Sequence, residues 1–126
     1  MIAADASSLI AYFEGQVRPD TEASDTAMAA FELVLPPPVV PELIGRAGAV
    51  TTPYDELAKN APQLPLNDGY WLRARALRSL VRSQGLRART MDTLIAQCCI
   101  DADVALITRD DDFRQFARWG GLKLAP

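Results

Sequence analysis

The sequence predicts an α/β domain of three layers, with a mainly parallel central sheet of four to five strands and helices on both faces. Three observations lead there. Short apolar runs alternate with helix-patterned segments along the whole chain. The clearest run, Val104-Ala105-Leu106-Ile107-Thr108, lies between two helical segments, and parallel neighbours need helical crossovers of this kind. The 126 residues suit a single domain, residues 1–126, around one core.

In chain order, Ile2-Ala3-Ala4 reads as a buried strand that stops at Asp5, and Ser7 or Ser8 offers an N-cap for a helix through Leu9, Ile10, Tyr12 and Phe13. A polar loop follows from Gly15 to Asp20. Thr21 to Glu32 suits a helix, and Leu33-Val34-Leu35 a short strand stopped by Pro36-Pro37-Pro38. Pro41 fits the first turn of a helix carrying Glu42, Leu43, Ile44 and Arg46, and Pro53 opens another through Asn60. Pro62 to Pro65 leaves room for a brief edge strand. From Asp68 a long helix runs to about Ser83 and ends at Gly85, with Leu72, Ala76, Leu77, Leu80 and Val81 as its apolar face, packed on the sheet. Thr90 caps the next helix, which carries Asp92 in its first turn and Ile95, Ala96 and Cys99 on its inner face. After the 104–108 strand come Arg109-Asp110-Asp111-Asp112, a last helix with Phe113 and Phe116, and a final strand at Leu122-Lys123-Leu124.

Hydrophobic residues at 49% and charged residues at 23% are ordinary for a folded domain. The start has no basic leader with a cleavage site, no apolar run approaches the roughly 20 residues of a membrane span, and no lipidation motif appears, so a cytoplasmic protein with no membrane partner is expected. The two cysteines, Cys98 and Cys99, are neighbours that make a poor disulfide pair; they read as small core hydrophobes in a reducing compartment. Histidine is absent. That removes Ser/His/Asp and Cys/His nucleophiles, a histidine general base and a zinc site completed by histidine. Chemistry by carboxylates is left, and carboxylates suit the hard cations Mg²⁺ and Mn²⁺ and phosphate-containing substrates.

In open parallel sheets, ligands sit beyond the carboxyl ends of the strands, where strand order reverses. Asp5 follows the first strand and Asp110 the strand ending at Thr108, so both enter one crevice if these strands are neighbours. Glu42 and Asp92 lie at helix starts that can border it, where the helix dipole favours negative charge. Any one of these acids alone is a common cap or solvated charge. Together they repel one another, and a divalent cation resolves the repulsion; it can acidify water and orient a phosphodiester without a protein nucleophile.

The sequence resembles the PIN-domain ribonucleases, and among them the VapC-like toxins of bacterial toxin–antitoxin pairs. The matching pieces are Asp5-Ala6-Ser7-Ser8, Glu42-Leu43, Met91-Asp92-Thr93-Leu94-Ile95-Ala96 and Leu106-Ile107-Thr108-Arg109-Asp110-Asp111-Asp112-Phe113, in order across almost the whole chain. Each is weak alone; the most specific is the pairing of Asp92 with the later Thr-Arg-Asp. The resemblance implies that Asp5, Glu42, Asp92 and Asp110 form the family's acidic quartet, catalytic and metal-holding, with Ser7 and Thr108 as supporting hydroxyls. Asp112 is either a further acid of the site or the cap of the last helix, and Asp111 is solvated. The resemblance also implies cleavage of RNA that leaves a 3′-hydroxyl and a 5′-phosphate, a VapB-like antitoxin that blocks the site, and a homodimer.

The net charge of −3 does not favour a polyanion, so the distribution of charge matters more than its sum. Arg73, Arg75, Arg78, Arg82, Arg87 and Arg89 lie between Gly69 and Met91 without one acid among them. Arg75, Arg78 and Arg82 share a helix face that is either solvated or a phosphate contact, whereas Arg73 falls among apolar positions. Arg87, Arg89 and Arg109 are the expected contacts to RNA phosphates. Two other classes lack their signatures. A haloacid-dehalogenase phosphatase needs a second Asp where Ser7 stands and a late lysine where Arg109 stands; a response-regulator receiver needs an early acidic pair and a late lysine. A catalytically silent PIN-like module that binds RNA or protein is the non-enzymatic alternative.

Overall fold

The computed structural model describes residues 1–44 and 52–126; Arg46, expected on the helix of Glu42, lies outside them. The elements run β1 (Ile2–Ala4), α1 (Ala6–Phe13), α2 (Pro19–Ala29), β2 (Leu33–Val34), α3 (Val39–Ile44), α4 (Pro53–Asn60), α5 (Tyr70–Ser83), α6 (Thr90–Ala102), β3 (Leu106–Ile107) and α7 (Phe113–Gly120).

The sheet is parallel, in the order β2-β1-β3, with Ile2 opposite Leu33 and Ala3 opposite both Val34 and Leu106. The chain leaves β1 towards one edge and returns to the other, so strand order reverses between β1 and β3. Right-handed crossovers in these two directions put the helices on opposite faces. The helices accordingly pack in two groups, α1 to α4 and α5 to α7. Both strands that flank the reversal are buried, and Ala3 and Ala4 are small enough to let helices approach β1 from both sides.

Among the described residues three strands are formed, and the segments at Gln63 and Leu124, where further strands were expected, contribute one parallel bridge each, to Leu35 and Leu106. Pro62 and Pro65 flank the first bridge and lack the N–H a longer ladder needs. The second follows directly on Gly121, which closes α7 at φ +80°.

Helix starts follow local chemistry. Asp5, rather than Ser7 or Ser8, caps α1 by accepting the Ser8 N–H at 3.1 Å. Pro19 and Pro53 occupy first-turn positions of α2 and α4, and Thr52 forms a reciprocal capping box with Asp55. Helix α2 starts two residues before the expected Thr21 and ends at Ala29, because Phe31 takes a left-handed φ of +56° on the way into β2. Helix α6 begins at Thr90 with Arg89 as its N-cap and no side-chain cap, so Thr90 does not cap it.

The buried face of α5 keeps Leu77 and Val81 of the predicted one and is otherwise rotated. Tyr70, Ala74, Leu77 and Val81 are buried, while Leu72 is 70% exposed and Leu80 42%. Two polar contacts set this rotation: the Tyr70 hydroxyl donates to Leu94 O at 2.6 Å, and Arg73 grips the Asp101 carboxylate with two nitrogens. Helix α5 packs on α6 and α7, and Leu77 meets Gly120, where a Cβ would collide with it. Cys98 and Cys99 are free thiols in the core. Among the described residues no helix is long and apolar enough to cross a membrane.

Candidate metal centre

The site is assembled beyond the carboxyl ends of β1 and β3. The Asp5 N–H donates to Ile107 O at 3.1 Å, extending the ladder by one rung and placing Asp5 at the strand-order reversal. Its side chain is 4% exposed and its acceptor capacity is well used. Oδ1 accepts from Ser7 Oγ at 2.8 Å and from the Ser8 N–H, and Oδ2 accepts from Thr108 Oγ1. Thr108 Oγ1 also accepts the Asp110 N–H at 3.1 Å, so one hydroxyl ties the two acid-bearing strand ends together. Ser7 and Thr108 thus both touch Asp5.

After Thr108 the chain turns tightly. Asp110 Oδ1 accepts the Asp112 N–H at 2.9 Å, an Asx turn that launches α7. Capping of α7 was one reading of Asp112, and the structure corrects it: Asp112 stands at the N-cap position but its side chain accepts no N–H there, and the Arg114 and Gln115 N–H groups donate instead to the carbonyls of Asp111 and Asp112. The Asp112 carboxylate instead joins Asp110 and Asp92, and one ligand oxygen from each of the three lies within 4.8 Å of the others. Asp111 faces solvent and, among the described residues, pairs with Arg114 on its own turn.

The electrostatics are those of crowded acids in a half-buried crevice. Burial first, then Asp110 and Asp112, push the Asp92 carboxyl up to about 6, with Arg89 opposing. Asp92 Oδ2 is buried and has no hydrogen-bond partner among the described residues. Burial also raises Asp5 against the lowering effect of its three donors, and burial followed by the charge of Asp5 raises Glu42. Glu42, in the first turn of α3, is the outlying member: its side chain is exposed and it is not part of the tight triad.

The expected RNA contacts divide. Arg109 does not reach outwards: its guanidinium grips both Asp20 oxygens, from Nε at 2.8 Å and Nη2 at 3.2 Å, and donates from Nη1 to Gln16 at 2.7 Å. All three nitrogens are thereby engaged, and this arginine braces the acid-bearing turn against the start of α2. Arg87 and Arg89 remain exposed beside the first turn of α6. Sequence reasoning missed the brace, since nothing local links Asp20 to Arg109. It left Asp112 undecided, although its spacing of two from Asp110 was the available signal.

Three carboxylates that share one small volume, one with an orphaned buried oxygen, form an all-oxygen donor set suited to a hard divalent cation. The comparisons with known proteins agree with this architecture. The crystal structure of VapBC2 from Rickettsia felis bound to a DNA fragment from their promoter matches with a TM-score of 0.67 and 18% identity, over 99% of this chain and 98% of that one. No curated protein sequence matches. A family comparison assigns residues 2–118 to the PIN domain, and with nearly the whole chain so matched, the protein belongs to the PIN-domain family.

Proposed function

We propose that this PIN domain is an endoribonuclease that hydrolyses RNA phosphodiester bonds with Mg²⁺ or Mn²⁺, as the toxin of a toxin–antitoxin pair. The observation that carries the reading is the convergence of Asp92, Asp110 and Asp112, with Asp5 pinned beside them at the strand-order reversal. Asp92, Asp110 and Asp112 would hold the cation, and Asp5 and Glu42 extend the acidic wall. A bound divalent cation supplies charge neutralisation for the phosphodiester and acidifies the attacking water.

The chain's own residues do the rest. Ser7 and Thr108 keep the Asp5 carboxylate oriented, and the Arg109–Asp20 brace holds the turn that carries Asp110 and Asp112. Glu42, raised by burial and by the charge of Asp5, would add a further carboxylate at the edge of the site. Arg87 and Arg89 meet the phosphates that flank the scissile bond.

A VapB-like antitoxin is the proposed inhibitor, in line with the VapBC2 likeness. Its seat would be the apolar groove of about 410 Å³ between α1, α2 and α4, lined by Phe13, Met28, Phe31 and Leu57. A homodimer in the cytoplasm completes the proposal. The test is gel-resolved cleavage of total RNA with Mg²⁺, Mn²⁺ or EDTA, beside Asp5→Asn and Asp92→Asn. Metal-dependent cleavage lost in both variants supports the reading. Identical patterns in every lane would overturn it in favour of a silent PIN-like binding module.

A further inference from the structure

A second feature sits on the other packing group, in the groove between α5 and the start of α6. It has a volume of about 340 Å³ and is lined by Trp71, Arg75, Arg78, Arg82 and Thr90, with no acidic residue on its walls. The three arginines follow at helical spacings of three and four and so form one row along α5. Arg75 and Arg82 make no ion pair among the described residues, in a chain whose net charge is −3. An uncompensated basic row on an acidic protein is a local electrostatic feature, set against the sign of the whole.

At the head of this row stands Trp71. It is 64% exposed, and its ring is held edge-on against Tyr70 at 4.9 Å between centroids, so a rigid aromatic surface is offered to solvent. The row is also tied to the segment that precedes the acidic site. Arg78 Nε donates to Ala88 O at 2.8 Å, which ties the middle of the row to the segment between Arg87 and Arg89. Arg89 then caps α6, three residues before Asp92.

We propose that the α5–α6 groove binds single-stranded polynucleotide outside the cleavage site, with Arg75, Arg78 and Arg82 on successive phosphates and Trp71 stacked under a base. The inference rests on the nuclease reading only for the identity of the strand that continues from Arg89 into the groove. Phosphate neutralisation by arginine and stacking on an exposed aromatic are the two components of sequence-tolerant single-strand binding. A second copy of the chain is the less suited occupant, because every charge on α5 is positive and the face offers itself no complementary acid.

The test is fluorescence anisotropy of a labelled 12-mer oligouridylate in EDTA, across a salt series, with wild type, Arg75→Glu/Arg82→Glu, Arg75→Lys/Arg82→Lys and Trp71→Ala. Arg78 is left intact because its bond to Ala88 O is structural. The glutamate pair is expected to bind at least about tenfold more weakly, with the slope of log affinity against log salt reduced by about 1.4 for two single-strand phosphate contacts. The lysine pair should retain most of the affinity, and Trp71→Ala should lose roughly tenfold with its slope unchanged. Metal-dependent cleavage of a tetranucleotide, too short to occupy both places, should be unaffected in all variants. Unchanged affinity and slope in the glutamate pair would overturn the groove while leaving the nuclease standing. Lost binding with no metal-dependent cleavage in wild type would keep the groove and overturn the nuclease. An altered association state in sedimentation, with oligonucleotide affinity intact, assigns the face to a second copy and overturns the proposal.

Discussion

Asp92→Asn should make the metal-free protein more stable at neutral pH, although it removes a residue of the proposed catalytic site. Moving a carboxyl from 3.8 to about 6 corresponds to roughly 3 kcal/mol of strain in the ionised folded form. Partial exposure of Asp92 brings the expected gain to about 2 kcal/mol. The sign follows from linkage. With the folded value raised, the folded state holds a proton that the unfolded state has released between about pH 4 and 6, so this contribution to stability falls as pH rises through that window and is flat above it. Asparagine abolishes that fall.

Thermal unfolding in EDTA should therefore show the variant melting roughly 6–10 °C above wild type at pH 7.5, with the difference closing towards pH 4. Asp20 and Asp101, held low by Arg109 and Arg73, lose their contributions as pH falls in both proteins, so only the difference between the two curves is diagnostic. Added Mn²⁺ should stabilise wild type far more than the variant. A variant that melts below wild type in EDTA at pH 7.5, or that retains the wild-type pH dependence, would refute the argument that these acids are mutually destabilising without a cation.

Asp112→Asn should weaken Mn²⁺ binding in calorimetry by at least about tenfold, whereas Asp111→Asn leaves it unchanged, because only the first carboxylate lies in the triad. Thr108→Val removes a donor to Asp5 and should carry the acidic limb of cleavage to higher pH, with Thr108→Ser restoring it. Arg109→Ala removes the cation that pairs with the largely buried Asp20 carboxylate and should cost about 1–3 kcal/mol in urea unfolding. The charge swap Asp20→Arg/Arg109→Asp should recover part of that loss, as a direct pair requires.

Much of the architecture could be read locally. Apolar runs at Ile2–Ala4 and Leu106–Ile107 and the helix patterns between them are properties of neighbouring residues, and they imply parallel strands with acids at their carboxyl ends. The absence of histidine restricted the chemistry before any geometry was known. Placing Asp5 and Asp110 in one crevice needed only that β1 and β3 be neighbours, as they are.

What sequence could not decide was which of two adjacent stripes each helix buries and which carboxylates converge. On α5, Leu72-Ala76-Leu80 and Tyr70-Ala74-Leu77-Val81 both follow helical spacing. Distant partners chose between them: Leu94 O for Tyr70 and Asp101 for Arg73, more than twenty residues away. Arg109 was drawn from solvent to Asp20 by a contact spanning 89 positions, and the Asp112 carboxylate joins Asp92, twenty residues earlier on another helix, in the triad rather than capping its own helix. Periodicity reports which faces can be buried; rotation about a helix axis and the pairing of charges depend on groups remote in sequence, and those only the tertiary structure brings together.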